Sequence, residues 1–260
     1  MKNLILLFMA IGFSLSLQAQ KASDYREAAE QGDAIAQYGL GMCYYYGNGI
    51  TQDYTQAVYW YKKSAEQGIA DAQYDLGVCY ALGQGITKDN AQSAYWYTKS
   101  AEQGLAKAQY DLAVCYMKGD GVLIDEPQAI YWYTKAAEQG LVEAQYVLGA
   151  CYAFGQGVTR DYTQAAYWYR KAAEQGMAEA QYNFGVCYSN GYGVEKNHKH
   201  AVNWYRKSAE QGYADAQYSL GMSYTKGEGV IRSYDQAVHW FKKAAKQGHI
   251  DAKDALKILK

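Results

Sequence analysis

An all-α fold, a right-handed α/α superhelical solenoid of helix-turn-helix repeats, is predicted by three observations. Trp60, Trp96, Trp132, Trp168, Trp204 and Trp240 lie 36 residues apart, one after another. Gly32, Gly68, Gly104, Gly140, Gly176, Gly212 and Gly248 keep the same step, and so do Tyr38, Tyr74, Tyr110, Tyr146, Tyr182 and Tyr218. A period of this length marks stacked supersecondary units, each of which buries its apolar side only against its neighbours. Within one period two amphipathic segments flank a Gly-x-Gly turn, which predicts helix, turn and helix.

Taken in order, residues 1–19 read as a secretory signal: Lys2 is the positive start, Leu4 to Leu17 an apolar stretch relieved by Ser14 and Ser16, and Ala19 a small residue at a cleavage point. That stretch is shorter than the roughly 20 apolar residues a spanning helix needs, and no later run is long enough either, so no integral membrane segment is expected after cleavage. Residues 20–32 form an N-terminal half-repeat. Six repeats follow at 33–68, 69–104, 105–140, 141–176, 177–212 and 213–248, and 249–260 is a terminal helix, with Lys253 and Asp254 where other copies carry Gln and Tyr. A polar outer face of that kind suits a cap.

In the first helix of repeat 1, Ala36, Leu40, Cys43 and Tyr44 share one face, assigned to packing on the second helix. Ala34, Tyr38 and Gly41 fall on another, where small residues would admit the neighbouring repeat. On the second helix Ala57, Trp60, Tyr61, Ser64 and Ala65 form the buried side, with Tyr59, Lys62, Lys63 and Glu66 outward. The glycine pairs Gly47/Gly49, Gly83/Gly85, Gly119/Gly121, Gly155/Gly157, Gly191/Gly193 and Gly227/Gly229 suggest a connection needing positive φ in preference to a phosphate cradle. Asp53, Asp89, Asp125, Asp161, Asn197 and Ser233 follow as N-caps, and Pro127 sits in a first helical turn, where a missing N–H costs little.

Composition excludes some partners. With 25 basic and 26 acidic residues and a formal charge of -1, the chain lacks the basic surplus that nucleic acid requires. Cys43, Cys79, Cys115, Cys151 and Cys187 occupy one repeat position, so none has a partner in its own repeat. Equivalent helices packed about 8–10 Å apart are too distant for a disulfide. Buried, unbridged thiols filling apolar space are therefore expected rather than a redox or metal site.

The pattern Ala-x-Ala-Gln-Tyr-x-Leu-Gly-x-x-Tyr-x-x-Gly-x-Gly-Val, then Asp, then Ala-x-x-Trp-Tyr-x-x-Ala-Ala-Glu-Gln-Gly resembles the Sel-1-like repeat, a relative of the tetratricopeptide repeat. The resemblance covers residues 33 to 248. It implies an α/α superhelix acting as an adaptor in protein assembly, envelope regulation or bacterium-host contact. A cysteine-rich subgroup, described as secreted β-lactamases or penicillin binders, carries two disulfide-bonded cysteines per repeat; this chain has one. A hydrolase of that kind is the alternative to a binding scaffold.

Positions that repeat in every copy solve the stacking problem, so partner information is sought where copies differ. Sites 35, 39, 42 and 46 and their equivalents share one face of each first helix and vary, and by analogy with related superhelices they line the concave groove. Met42, Val78, Val114, Val186 and Met222 give an apolar middle, joined by Tyr46, Val147 and Phe154, while Asp71, Asp75, Asp111, Lys107 and Asn183 give a mixed margin. A protein or peptide with apolar anchors and some basic character fits such a face. The outward stripe Tyr59, Tyr95, Tyr131 and Tyr167 is read as a solvated convex face with rings covered by lysine stems.

Catalytic residues are not expected, and neither is a metal or a cofactor. Ser223 and Lys226 match Ser-x-x-Lys, but the companion motifs of penicillin-recognising enzymes are missing. His198 and His200 are read as a solvated turn. The whole points to an exported, non-enzymatic scaffold, periplasmic by preference over secreted or surface-bound.

Overall fold

A computed structural model describes residues 22, 23 and 25–259. The signal reading of residues 1–19 lies outside them. All regular structure among the described residues is helical. The first helices of the six repeats are Ala34–Tyr46, Ala70–Leu82, Ala106–Lys118, Val142–Phe154, Ala178–Asn190 and Ala214–Lys226. The second helices are Tyr54–Glu66, Asn90–Glu102, Glu126–Glu138, Tyr162–Glu174, His198–Glu210 and Tyr234–Lys246, and Ile250–Ile258 closes the series. The chain divides into two compact units, Met1–Trp132 and Tyr133–Lys260.

Local chemistry sets the helix ends. Each second helix starts at the expected cap: Asp53, Asp89, Asp125, Asp161, Asn197 and Ser233 all accept a backbone N–H from the first turn. The first helices of repeats 2 to 6 have no side-chain cap; each starts instead at an extended Ile69, Leu105, Leu141, Met177 or Tyr213. They end on a left-handed glycine, as at Gly83, whose N–H bonds the Cys79 carbonyl. The second glycine of the turn has a separate task. A Cβ on Gly85 would lie 2.1 Å from the Tyr54 carbonyl oxygen, so the turn touches the start of the preceding repeat's second helix. The turn is a packing device.

In the first unit, Ala57, Tyr61 and Ala65 of repeat 1 pack on Ala72, Leu76 and Cys79 of repeat 2, and Trp96 joins the same cluster. The second unit repeats this with Ala165, Tyr169 and Ala172 on Ala180, Phe184 and Cys187. One assignment is corrected. Gly41 accommodates the second helix of its own repeat, because a Cβ there would stand 2.6 Å from the Tyr61 ring, and Gly77 meets Tyr97 in the same way at 2.7 Å. The tyrosine ring from the second helix of the same repeat, not the neighbouring repeat, demands the small residue.

Within each unit a glutamine ladder ties helices of successive repeats together. Buried Gln73 donates to the Ala65 carbonyl at the end of the preceding second helix and accepts from Gln103 of its own repeat. In the second unit Gln145 does the same with Ala137 and Gln175, and Gln181 with Ala173 and Gln211. Each buried amide thereby satisfies its own polar atoms and a helix-end carbonyl. On the terminal helix Lys253 and Asp254 are exposed and Ala252 is buried, while His249 caps the first turn through Nδ1.

Candidate binding face on the first helices

The varying positions occupy one strip of each first helix at two depths. Ile35, Tyr46, Leu82 and Phe154 stand 61–75% exposed, and Asp71, Lys107 and Glu143 are exposed beside them. Met42, Val78, Val114, Val147, Val186 and Met222 are half-buried. Met42 and Tyr38 lean on the cluster formed with repeat 2, Val78 and Tyr74 on the next one, and Val186 and Tyr182 on the equivalent in the second unit. The exposed positions are available for contact, whereas the half-buried ones are shared between surface and core.

Asp75, Asp111 and Asn183 serve the stacking as well as the face. The Tyr38 hydroxyl donates to Asp75 Oδ2 at 3.0 Å and that of Tyr74 to Asp111 Oδ2 at 3.0 Å, each reaching 37 residues along the chain. In the second unit Asn183 Nδ2 donates to the Tyr146 hydroxyl at 3.5 Å, and the Ser219 hydroxyl beside Tyr182 opposes the upward push of burial on that phenol. Where copies differ at this position, the difference changes how one repeat bonds to the last. The sequence pattern held a signal for this, since an invariant tyrosine sits one period and one residue before each varied site.

Burial pushes Asp75 up to about 6; its bond from Tyr38 and the charge of Lys107 oppose that shift, while Asp71 adds to it. Asp111 is raised as well, again by burial against its Tyr74 bond. An acid whose pKa is higher folded than unfolded holds its proton more tightly in the folded state, so ionising it weakens the fold. The contribution of Asp75 is therefore full below the unfolded value of about 4 and is lost as pH rises through about 6. Asp75→Asn is expected to melt above the wild type at about pH 7.5, with the gap narrowing by about pH 4.5. A gap that does not change with pH would contradict this.

The other sequence candidates resolve into structural roles. Ser223 is buried and its Oγ donates to the Ser219 carbonyl, while Lys226 is exposed, so the Ser-x-x-Lys match places no activated nucleophile. All five cysteines are buried and none is in a disulfide. Burial raises the thiols of Cys79 and Cys187 to about 12 and, with nearby Asp111 and Asp120, that of Cys115 to about 11, which keeps them protonated and unreactive. His198 and His200 lie in the first turn of the helix His198–Glu210 rather than in a loop, because Asn197 caps it one residue earlier; His200 packs edge-on against Tyr188. The stripe Tyr59, Tyr95 and Tyr167 is exposed, each ring edge-on to the next tryptophan at 4.9–5.0 Å, with Lys63, Lys99 and Lys171 over the faces at 5.0–5.8 Å. Lysines already occupy those rings.

A profile of the Sel1 repeat matches residues 34–69, 70–105, 106–141, 142–177, 178–213 and 214–249. The sequence is 43% identical to c5321, a protective antigen of uropathogenic Escherichia coli strains displaying an SLR fold, with a TM-score of 0.85 over 89% of this chain and 50% of that one. The chain thus spans half the length of that relative. It is 37% identical to a Sel1 repeat protein from Oxalobacter formigenes, with a TM-score of 0.74 over 91% of this chain and 68% of the other. No curated protein matches the sequence.

Proposed function

Because the chain belongs to the Sel1 repeat family, we propose that it is a non-enzymatic scaffold that binds a protein or peptide along the exposed strip of its first helices. One observation carries the reading: on the first helices of the repeats, the large apolar side chains that stand in water, Ile35, Tyr46, Leu82 and Phe154, all lie where the copies differ, while the repeated Leu40, Leu76, Leu112, Leu148 and Leu220 are buried. Exposed apolar groups ringed by charge are the usual mark of a contact surface. Asp71 and Glu143 against Lys107 favour a partner with apolar anchors and some basic residues. The N-terminal pattern of Lys2, Leu4 to Leu17 and Ala19 supports export to the bacterial envelope, and a protective antigen as relative fits an exported protein.

The test is capture of envelope proteins on immobilised protein, comparing wild type with Tyr46→Glu plus Leu82→Glu and with Tyr95→Glu plus Tyr167→Glu, all checked for equal melting. Loss of a captured protein only with the first pair supports the proposal. Loss only with the second pair moves binding to the tyrosine stripe and overturns it.

A further inference from the structure

Between repeats 2 and 3 of the first unit lies a cavity of about 240 Å³ lined by Ala81, Lys88, Asn90, Ser93, Tyr97, Asp111, Val114, Cys115 and Asp120. Its origin is legible one repeat earlier. There the equivalent space holds two rings, Tyr45 and Tyr54, packed edge-on at 5.1 Å, and the Tyr45 hydroxyl donates to Gln84 at 2.6 Å. In the next repeat those two tyrosines become Ala81 and Asn90, and Gln84 becomes Asp120. The rings are gone and polar groups surround the space they would fill.

Ser93 is the second observation. Its equivalents Ala57, Ala129, Ala165, Ala201 and Ala237 are all alanine. Ser93 is 3% exposed and lines the cavity; the Tyr97 phenol interacts with its hydroxyl, but the Oγ completes no well-formed hydrogen bond. A hydroxyl introduced where every other copy is apolar, and left without a well-formed bond, costs stability unless something else bonds it. Around it the walls carry both signs of charge. Lys88 and Asp120 are exposed, Asp111 is half-buried and bonded through one oxygen to Tyr74, and Ala81, Val114 and Cys115 give an apolar side.

From this juxtaposition of Ser93, Lys88 and Asp111 around a space vacated by two rings, we propose that the cavity binds a free α-amino acid with a small aliphatic side chain. Its ammonium group faces Asp111 and Asp120, its carboxylate faces Lys88 and the Ser93 hydroxyl, and its side chain lies against Ala81 and Val114. Nothing here depends on the protein partner proposed above, and the test needs none.

L-leucine is titrated into the full chain by NMR or calorimetry, beside L-leucinol, which lacks the carboxylate, and 4-methylpentanoate, which lacks the ammonium. Leucine is expected to bind saturably, and each analogue at least about tenfold more weakly because one charge-assisted contact is lost. Ser93→Ala, which restores the residue of the other copies, is expected to weaken leucine binding about fivefold. Ala81→Tyr with Asn90→Tyr, which refills the space, is expected to abolish it. Should that pair not fold, Lys88→Gln, expected to weaken leucine but not leucinol, takes its place. Absence of saturable binding, which would mean a cavity holding only water, overturns the proposal. So does equal binding of the three compounds, or undiminished binding to the refilled variant.

Discussion

Gly85→Ala is expected to lower stability by about 3 kcal/mol or more, because two separate costs coincide. At φ +70° an alanine sits in the left-handed region, at roughly 1–2 kcal/mol. Its Cβ would also fall 2.1 Å from the Tyr54 carbonyl oxygen, which belongs to helical backbone and cannot turn aside as a side chain would. Gly83→Ala separates the two. Gly83 has φ +71°, but a Cβ there meets Lys88 at 3.3 Å, so the conformational cost of about 1 kcal/mol should dominate. Urea unfolding of both variants reads the difference. Equal losses would show that the approach of the turn to the preceding repeat does not matter to the fold.

The second large effect is expected at Gln145. Its Nε2 donates to the Ala137 carbonyl at 3.0 Å and its Oε1 accepts from Gln175 at 2.8 Å, in a site only 4% exposed. Gln145→Leu keeps the apolar volume but removes both bonds, and a buried polar group left unpaired costs about 1–3 kcal/mol. A loss of about 2–4 kcal/mol is the expected result for the pair of contacts. Gln175→Leu removes the donor to Gln145 and to the Gly140 carbonyl from an exposed position, where solvent can take up the freed acceptors, and should cost about 1 kcal/mol. Thermal melts of the two variants check the order. If Gln175→Leu proved the more harmful, the ladder would draw its strength from the rim rather than from the buried amide.

Much of this architecture could be read from the sequence, because each repeated residue type has one dominant physical use. The Gly-x-Gly pairs read as turns of positive φ and Asp53 and its equivalents as caps, and the structure bears out both; of the tryptophans on the apolar face, Trp60, Trp96, Trp168 and Trp240 are buried and Trp132 and Trp204 half-buried. Gly41 was misassigned because periodicity shows which face a residue occupies but not which helix lies over it. Gln73 and its equivalents passed unread: glutamine has no strong preference in helices, and its role emerges only when a carbonyl eight residues earlier and an amide thirty residues later are brought to it.

The candidate face was legible in outline and not in depth. Variation between copies singled out Tyr46 and Phe154, which are exposed, together with Asp75 and Asp111, which bond Tyr38 and Tyr74. A varied position can report a changed junction as readily as a partner. Ser93 gave a sharper signal, a single departure from five alanines, but its meaning needed the missing rings of Ala81 and Asn90 beside it.

The claim that partners bind the first helices is tested most directly by placing a photoreactive benzophenone side chain at position 82 or 154 and, separately, at 95 or 167, then irradiating in envelope extract. The account predicts one and the same protein crosslinked from 82 or 154 and none from 95 or 167. Crosslinks obtained only from the tyrosine stripe would contradict it.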